Sequence, residues 1–125
     1  MQAAKKMGRL KNILIGLILL GQGCSADEKF EEVLKSPDKF HDQEVEVVGV
    51  FHARFEDYAI YVTRYSDRDK AIWINFSKAF MSRNTFIGLD GQKIRLTGIF
   101  NKNDKGHLSQ YAGSLDEAEA KMEIE

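Results

Sequence analysis

The fold is decided by residues 43–51, which read Gln-Glu-Val-Glu-Val-Val-Gly-Val-Phe. Polar and apolar side chains alternate along this stretch, as in a strand with one buried face. Residues 92–100, Gln-Lys-Ile-Arg-Leu-Thr-Gly-Ile-Phe, repeat the pattern later in the chain. A glycine inside a strand marks a bulge, a sharp bend or a close backbone approach. Two strands bent at Gly49 and Gly98 therefore predict closure into a small barrel, and chance similarity between two strands is the alternative.

Three further segments complete a five-stranded pattern. Residues 59–63 and 71–76 are rich in β-branched and aromatic side chains, and the charged residues between them predict a turn. We expect a fifth strand over residues 107–115. The tail, residues 116–125, has helical composition but ends in an alternating Met-Glu-Ile-Glu, so it fits either a helix or a strand.

Two helices are expected around these strands. Ser25 and Glu28 fit a capping box, followed by an apolar stripe at helical spacing: Phe30, Val33 and Leu34. Pro37 predicts the end of this helix, because the residue before a proline is driven out of the α region. A shorter helix, capped by Ser77, is expected within residues 77–88.

The order of these elements resembles an OB-fold, a five-stranded, partly open barrel with a helix between strands three and four. The resemblance covers most of residues 40–115 and leads us to treat residues 24–125 as one domain. The chain is similar to small exported bacterial OB-fold lipoproteins of unassigned function. Features shared with that group are the Val-x-Val-x-Gly-x-Phe strand, Phe55-Glu56, Tyr61, Ile72-Trp73 and Gly106-His107. An SH3-like or Sm-like barrel is the alternative.

The N-terminus has the pattern of an export signal. Residues 1–23 contain four cations and no acid, and residues 13–20 form an apolar run that is too short to span a bilayer. Cys24, the only cysteine, follows Gly23. This segment resembles a bacterial lipoprotein signal, in which the cysteine is lipidated and becomes the new N-terminus. An ordinary signal peptide and the buried helix of a cytosolic protein are the alternatives.

The lipoprotein resemblance also implies a location. Lipid on Cys24 would anchor the domain in the cell envelope, since two acyl chains hold a protein stably without a spanning helix. In lipoproteins of this kind, a serine after the cysteine, here Ser25, is compatible with sorting to the outer membrane, with the domain facing the periplasm.

Charge disfavours nucleic acid as the ligand. The whole chain has a formal net charge of −1, but residues 24–125 hold 14 cations and 19 acids. Affinity for a polyanion depends largely on cations that neutralise phosphates. An acidic OB module suits a protein or oligosaccharide partner better.

The candidate ligand-binding residues are Tyr61, Trp73, Arg95 and His107, because ligands of OB-folds stack on exposed aromatic side chains. Trp73 lies between Ile72 and Ile74, so alternation places it on the opposite face from both. If the two isoleucines fill the barrel, Trp73 is available outside it. The alternative is that Trp73 lies beneath the N-terminal helix and packs against Phe30.

No recognised catalytic constellation, phosphate loop or metal-ligand spacing is present, so we expect no cofactor and no resident metal. The first functional hypothesis is a non-catalytic, membrane-anchored envelope module that binds a protein or an envelope ligand around Tyr61, Trp73 and Arg95. The second is a metal-dependent envelope enzyme that uses Glu56 and His107, with His52 as a conceivable third ligand.

Overall fold

A computed structural model describes residues 25–83 and 86–122. The proposed signal peptide, residues 1–23, and the proposed lipid-attachment site, Cys24, lie outside the described residues. The helices are α1 (Ala26–Lys35), α2 (Pro37–Phe40) and α3 (Lys78–Arg83). The strands are β1 (Glu44–Arg54), β2 (Asp57–Tyr61), β3 (Ala71–Phe76), β4 (Lys93–Asn101) and β5 (Gly113–Met122). In the part of the chain that is described, no helix combines the length and the apolar character needed to cross a membrane.

The five strands form a closed barrel in the order β1-β2-β3-β5-β4. β3 and β5 pair in parallel, and the other neighbouring strands are antiparallel. The helices α1 and α2 precede the barrel, and α3 lies between β3 and β4. The mainly β, OB-like barrel predicted from the sequence is therefore confirmed.

The N-terminal helix begins and packs as its sequence predicts. The Ser25 hydroxyl accepts a hydrogen bond from the Glu28 backbone N–H at 3.2 Å, and Glu28 accepts one from the Ser25 N–H at 3.1 Å. This is the predicted capping box. Phe30 and Val33 are fully buried in the barrel core, so α1 is held by its apolar stripe. The helix ends at Lys35, and Pro37 then begins the short helix α2.

The core lies inside the barrel and receives alternate residues from every strand. Its fully buried members from the strands are Val47, Phe51, Ile60, Ile72, Ile94, Leu96, Phe100, Leu115 and Ala118. Ser77 caps α3 as predicted, since its hydroxyl accepts from the Phe80 N–H at 3.1 Å. Phe80 is buried and stacks on Phe76 at the edge of this core, with 4.8 Å between the ring centroids.

The two similar strands are neighbours in the barrel, and their glycines are sites of close approach. Val45 lies opposite Gly98, and Gly49 lies opposite Ile94. A Cβ at Gly49 would collide with the carbonyl oxygen of Tyr61 and come within 2.9 Å of the Phe30 ring. At Gly98 it would meet the carbonyl oxygen of Asp116 at 2.8 Å. The register of β4 and β5 shifts beside Gly98, so β5 bulges opposite this glycine.

The prediction for the fifth strand is wrong in position. Residues 107–109 form a 3-10 turn, and β5 runs from Gly113 to Met122. Ala, Glu and Lys in this segment favour a helix, but pairing with β3 on one side and β4 on the other overrides that preference. The strand predicted over residues 59–63 is also displaced and lies at Asp57–Tyr61.

The packing at Gly49 yields a stability prediction. We expect Gly49→Ala to lower the free energy of unfolding by roughly 1–3 kcal/mol, because the added methyl group overpacks the contact between α1, β1 and β2. Gly88→Ala is the matched control, since nothing lies within 4 Å of a Cβ there. Urea unfolding of the two variants and the unsubstituted chain measures the difference. Equal midpoints for all three would contradict the close approach at Gly49.

Candidate functional site

The turn between β1 and β2 meets the loop between β4 and β5 at one end of the barrel. Glu56 in the turn and His107 in the loop face each other, with 3.4 Å between Oε1 and Nε2. Three residues here have left-handed backbones although none is glycine: Glu56 (φ 62°), Leu108 (φ 56°) and Ser109 (φ 55°). Each such residue costs of order 1–3 kcal/mol, and strain of this kind collects at functional sites.

Beneath these loops lies a buried carboxylate with three hydrogen-bond donors. Asp57 is only 7% exposed. Its Oδ1 accepts from the hydroxyls of Tyr61 at 2.7 Å and Tyr111 at 2.8 Å. Its Oδ2 lies 2.9 Å from Nδ1 of His52, which donates because an ionised carboxylate can only accept. We call these four residues the Asp57 network; it joins β1, β2 and the end of the β4–β5 loop.

The network shifts the pKa values of its members in a consistent way. Burial alone would raise the pKa of Asp57, but hydrogen bonds from Tyr61, His52 and Tyr111 outweigh burial and hold the pKa below its usual value. Burial, reinforced by the hydrogen bond to Asp57, raises the pKa of Tyr61 to about 12. The pKa of Tyr111 is raised by the same two causes. At neutral pH the network therefore holds one negative charge and two neutral phenols.

Aromatic contacts extend from the network to Trp73 on the outer face of β3. Trp73 packs on Tyr111 with 5.2 Å between ring centroids, and Tyr58 meets Trp73 edge-on at 6.2 Å. Gly106 lies against the indole, because a Cβ there would approach Trp73 Cγ to 2.7 Å. Its φ of 70° also favours glycine. Asp104 holds this part of the loop by accepting from the Gly106 N–H at 3.1 Å.

The predicted binding residues Tyr61, Trp73 and Arg95 do not form the single exposed face that we expected. Ile72 and Ile74 fill the barrel and Trp73 lies outside, as alternation predicts, but half-buried. The alternative in which Trp73 packs against Phe30 is wrong, since Phe30 belongs to the barrel core. Tyr61 is 3% exposed and offers no ring face to a ligand.

Arg95 does not join this face. It pairs with Glu46 of β1, and β1 separates its strand from β2. The prediction of one exposed face around Tyr61, Trp73 and Arg95 is therefore wrong. Alternation shows which side of a strand a residue takes, but it does not show where that strand lies around a closed barrel.

His107 and Glu56 do come together, but the conceivable third metal ligand does not join them. The His52 side chain is 11% exposed and bonds to Asp57 instead of joining Glu56 and His107. Within residues 25–83 and 86–122, no three His, Cys, Asp or Glu side chains form a group that could hold a metal ion. A catalytic zinc site needs three protein ligands, and the Glu56–His107 contact supplies two.

Asp57, the centre of the site, is not among the residues predicted from the sequence. One signal was available, because Asp57 and Tyr61 are four residues apart on a short strand and therefore share its outer face. The second tyrosine comes from a loop that lies 54 positions from Asp57. That contact depends on how the barrel closes.

The Asp57 network predicts how stability depends on pH. The Tyr61 pKa is raised on folding, so its contribution is complete below about pH 10 and is lost as pH rises towards 12. The Asp57 pKa is lowered on folding, so its contribution is present above about pH 4 and is lost as pH falls further. Urea unfolding from pH 3 to pH 11 should show both declines.

Tyr61→Phe tests the assignment to this network. It removes a hydrogen bond to a buried carboxylate and should destabilise by about 1.5–3 kcal/mol at pH 7. It should also flatten the decline in stability above pH 10. The control is Tyr65→Phe, since Tyr65 is 87% exposed. An unchanged alkaline slope in Tyr61→Phe would contradict the raised pKa.

Comparison with known proteins assigns the chain to no family. No protein-family model, no curated protein and no solved structure matches the chain.

Proposed function

We propose that this chain is a lipid-anchored module of the cell envelope that binds a protein partner without catalysis. The proposed contact surface, here called the loop-tip surface, consists of Phe55, Glu56, His107 and Leu108. The signal-like residues 1–23 and Cys24 support the lipid anchor. The expected location is the outer membrane, with the domain facing the periplasm. The partner is inferred from the chemistry of the loop tips.

The observation that carries this proposal is the exposure of two large apolar side chains on adjacent loops. Phe55 is 85% exposed and Leu108 is 73% exposed. The Glu56–His107 contact links their neighbours in the chain. Water-exposed apolar side chains stabilise nothing in the isolated domain, and such groups on positioned loops are typical of protein contact sites.

The backbone of the loop tips supports the same function. Leu108 is held at φ 56° and is also exposed, so no packing of its own side chain offsets the strain. The Asp57 network beneath it ties Tyr111 to the β1–β2 hairpin. Such anchoring lowers the entropy that the loops lose on binding a partner.

A protein partner fits this surface better than an oligosaccharide. Of the aromatic side chains predicted to stack on a ligand, Tyr61 is buried and Trp73 is covered on one side by Gly106. The exposed Phe55 is accompanied by Leu108, whose aliphatic side chain offers no hydrogen bond to a sugar. A protein interface instead needs apolar anchors with a polar surround. Phe55 and Leu108 are the anchors, and Glu56 and His107 supply polar neighbours.

The alternative function is a metal-dependent envelope enzyme, and the contact between Glu56 and His107 is the observation that favours it. Metal analysis of the purified full chain discriminates between the two functions. Stoichiometric zinc that disappears in His107→Ala would favour the enzyme.

The anchor is tested by Cys24→Ser. We expect this variant to leave the membrane fraction and to lose incorporation of labelled fatty acid, because no other cysteine can carry the lipid. Gln22→Ser, in the same leader, is the matched control and should stay with the membrane. A Cys24→Ser variant that fractionates with the membrane as before would refute lipid anchoring.

The loop-tip surface is tested by the double variant Phe55→Ser, Leu108→Ser in the full chain. Truncating anchor residues of an interface typically costs more than 1 kcal/mol each. We therefore expect capture of the partner from envelope extract to fall by about tenfold or more. Urea unfolding should change little, because both side chains are exposed.

The control for this experiment is Met81→Ser, which alters an exposed apolar residue on α3. A partner captured by the unsubstituted chain and by Met81→Ser, but not by the double variant, would support the proposal. Equal capture of every protein by all three forms would mean that the loop tips are not the contact surface.

A further inference from the structure

A separate depression lies beside α1, away from the loop-tip residues. It has a volume of about 370 Å³, within the range of small-molecule sites. Val48 and Val50 of β1 and Val62, which follows β2, form its apolar wall. Glu31 of α1, Arg64 and Lys93 lie at its border. We call this depression the α1 groove.

The valines are unusual for the outer face of a barrel. Alternation along β1 gives Glu44, Glu46, Val48 and Val50 the same face, opposite the core residues Val45 and Val47. Both glutamates are exposed, as expected on that face. The change from glutamate to valine occurs where β1 borders the groove, so the apolar surface is specific to this place.

The charge of the groove is opposite in sign to that of the domain. A second depression of about 430 Å³ shares Glu31 and Val62 with the first and continues to Lys35 and Lys70. Together the two depressions are bordered by four cations and by two acids, Glu31 and Asp69. Residues 24–125 as a whole carry 14 cations and 19 acids. A local excess of cations in an acidic domain indicates an anionic ligand.

Arg64 is the cation best placed to bind such a ligand. Its side chain is exposed and forms no hydrogen bond or ion pair with the described residues. Other arginines are engaged: Arg54 pairs with Asp90, and Arg68 donates to Gln110 at 2.7 Å. A guanidinium binds carboxylate and phosphate oxygens through two parallel N–H donors.

We infer that the α1 groove binds a single-chain anionic amphiphile. Its apolar chain would lie on the partly exposed Val50 and Val62, next to the buried Val48, and its anionic head would bind Arg64. This site shares no residue with the loop-tip surface, so it stands independently of the proposed function. A fatty acid and a phosphate-headed lipid share this chemistry, and the experiment below distinguishes them.

The test uses the full chain carrying Cys24→Ser, so that no covalent lipid competes for the groove. Dansyl-labelled undecanoic acid is titrated below its critical micelle concentration, and its emission reports transfer to an apolar site. We expect saturable binding of one probe per chain. Competition with dodecanoate, dodecyl phosphate and neutral dodecanol then identifies the head group.

Arg64→Gln should weaken binding of the probe by at least about tenfold, because the head group loses its charge-assisted hydrogen bonds to the guanidinium. Lys78→Gln, at an exposed position of α3, is the matched control and should bind as before. Val50→Glu should abolish binding, because it places a carboxylate on the apolar wall. Circular dichroism shows whether Val50→Glu has folded. If Val50→Glu has not folded, the affinity of Arg64→Gln alone decides whether the probe binds in the α1 groove.

The competitors separate the outcomes. Displacement by dodecanoate alone assigns a carboxylate head, and displacement by dodecyl phosphate alone assigns a phosphate head; either result supports the site. Equal displacement by dodecanol would overturn the requirement for an anion. Absence of saturable binding, or equal affinity in Arg64→Gln, would overturn the site itself.

Discussion

Closure of the barrel is the constraint on which the rest of the structure depends. The parallel pairing of β3 with β5 completes the ring that β1, β2 and β4 begin. β5 pairs with both β3 and β4, and it carries a bulge with one extra residue opposite β4. The bulge lies near Glu117, whose φ is 53°. Because β5 must reach β3, the loop before it passes over the outer face of β2 and β3. The contacts of Tyr111 with Asp57 and of His107 with Glu56 follow from that path.

The Asp57 carboxylate turns this proximity into a fixed arrangement. A buried charge without partners would cost several kcal/mol, and the donors His52, Tyr61 and Tyr111 offset that cost. The three donors come from three elements: His52 from β1, Tyr61 from β2 and Tyr111 from the loop before β5. The loops are consequently held at their base while their tips stay exposed. A hydrogen-bonded base with exposed apolar tips would let the loops contact a partner with little rearrangement.

Sequence reasoning succeeded where local chemistry decides structure. The capping box at Ser25, the alternation around Gly49 and the β-branched run of β3 each depend on neighbouring residues, and each element formed as predicted. β5 was misplaced because its alanines and glutamates favour a helix in isolation and pair as a strand only between β3 and β4. Asp57 was missed for the same reason, since its role depends on Tyr111. The paired positions of Glu56 and His107 were anticipated, whereas Arg95 was placed on the wrong face.

The loop tips and the α1 groove differ in chemistry in a way that separates their ligands. The loop tips present uncharged apolar groups that would enter a partner's pocket, and a weakly charged surround suits many protein surfaces. The groove is concave and bordered mainly by cations, in a domain whose remaining surface is acidic. An anion approaching the domain is repelled elsewhere and attracted there, so electrostatics favours the groove before any contact forms. A polyanion, by contrast, would extend beyond the groove onto acidic surface, which is why a small amphiphile with a single anionic head fits it better than nucleic acid does.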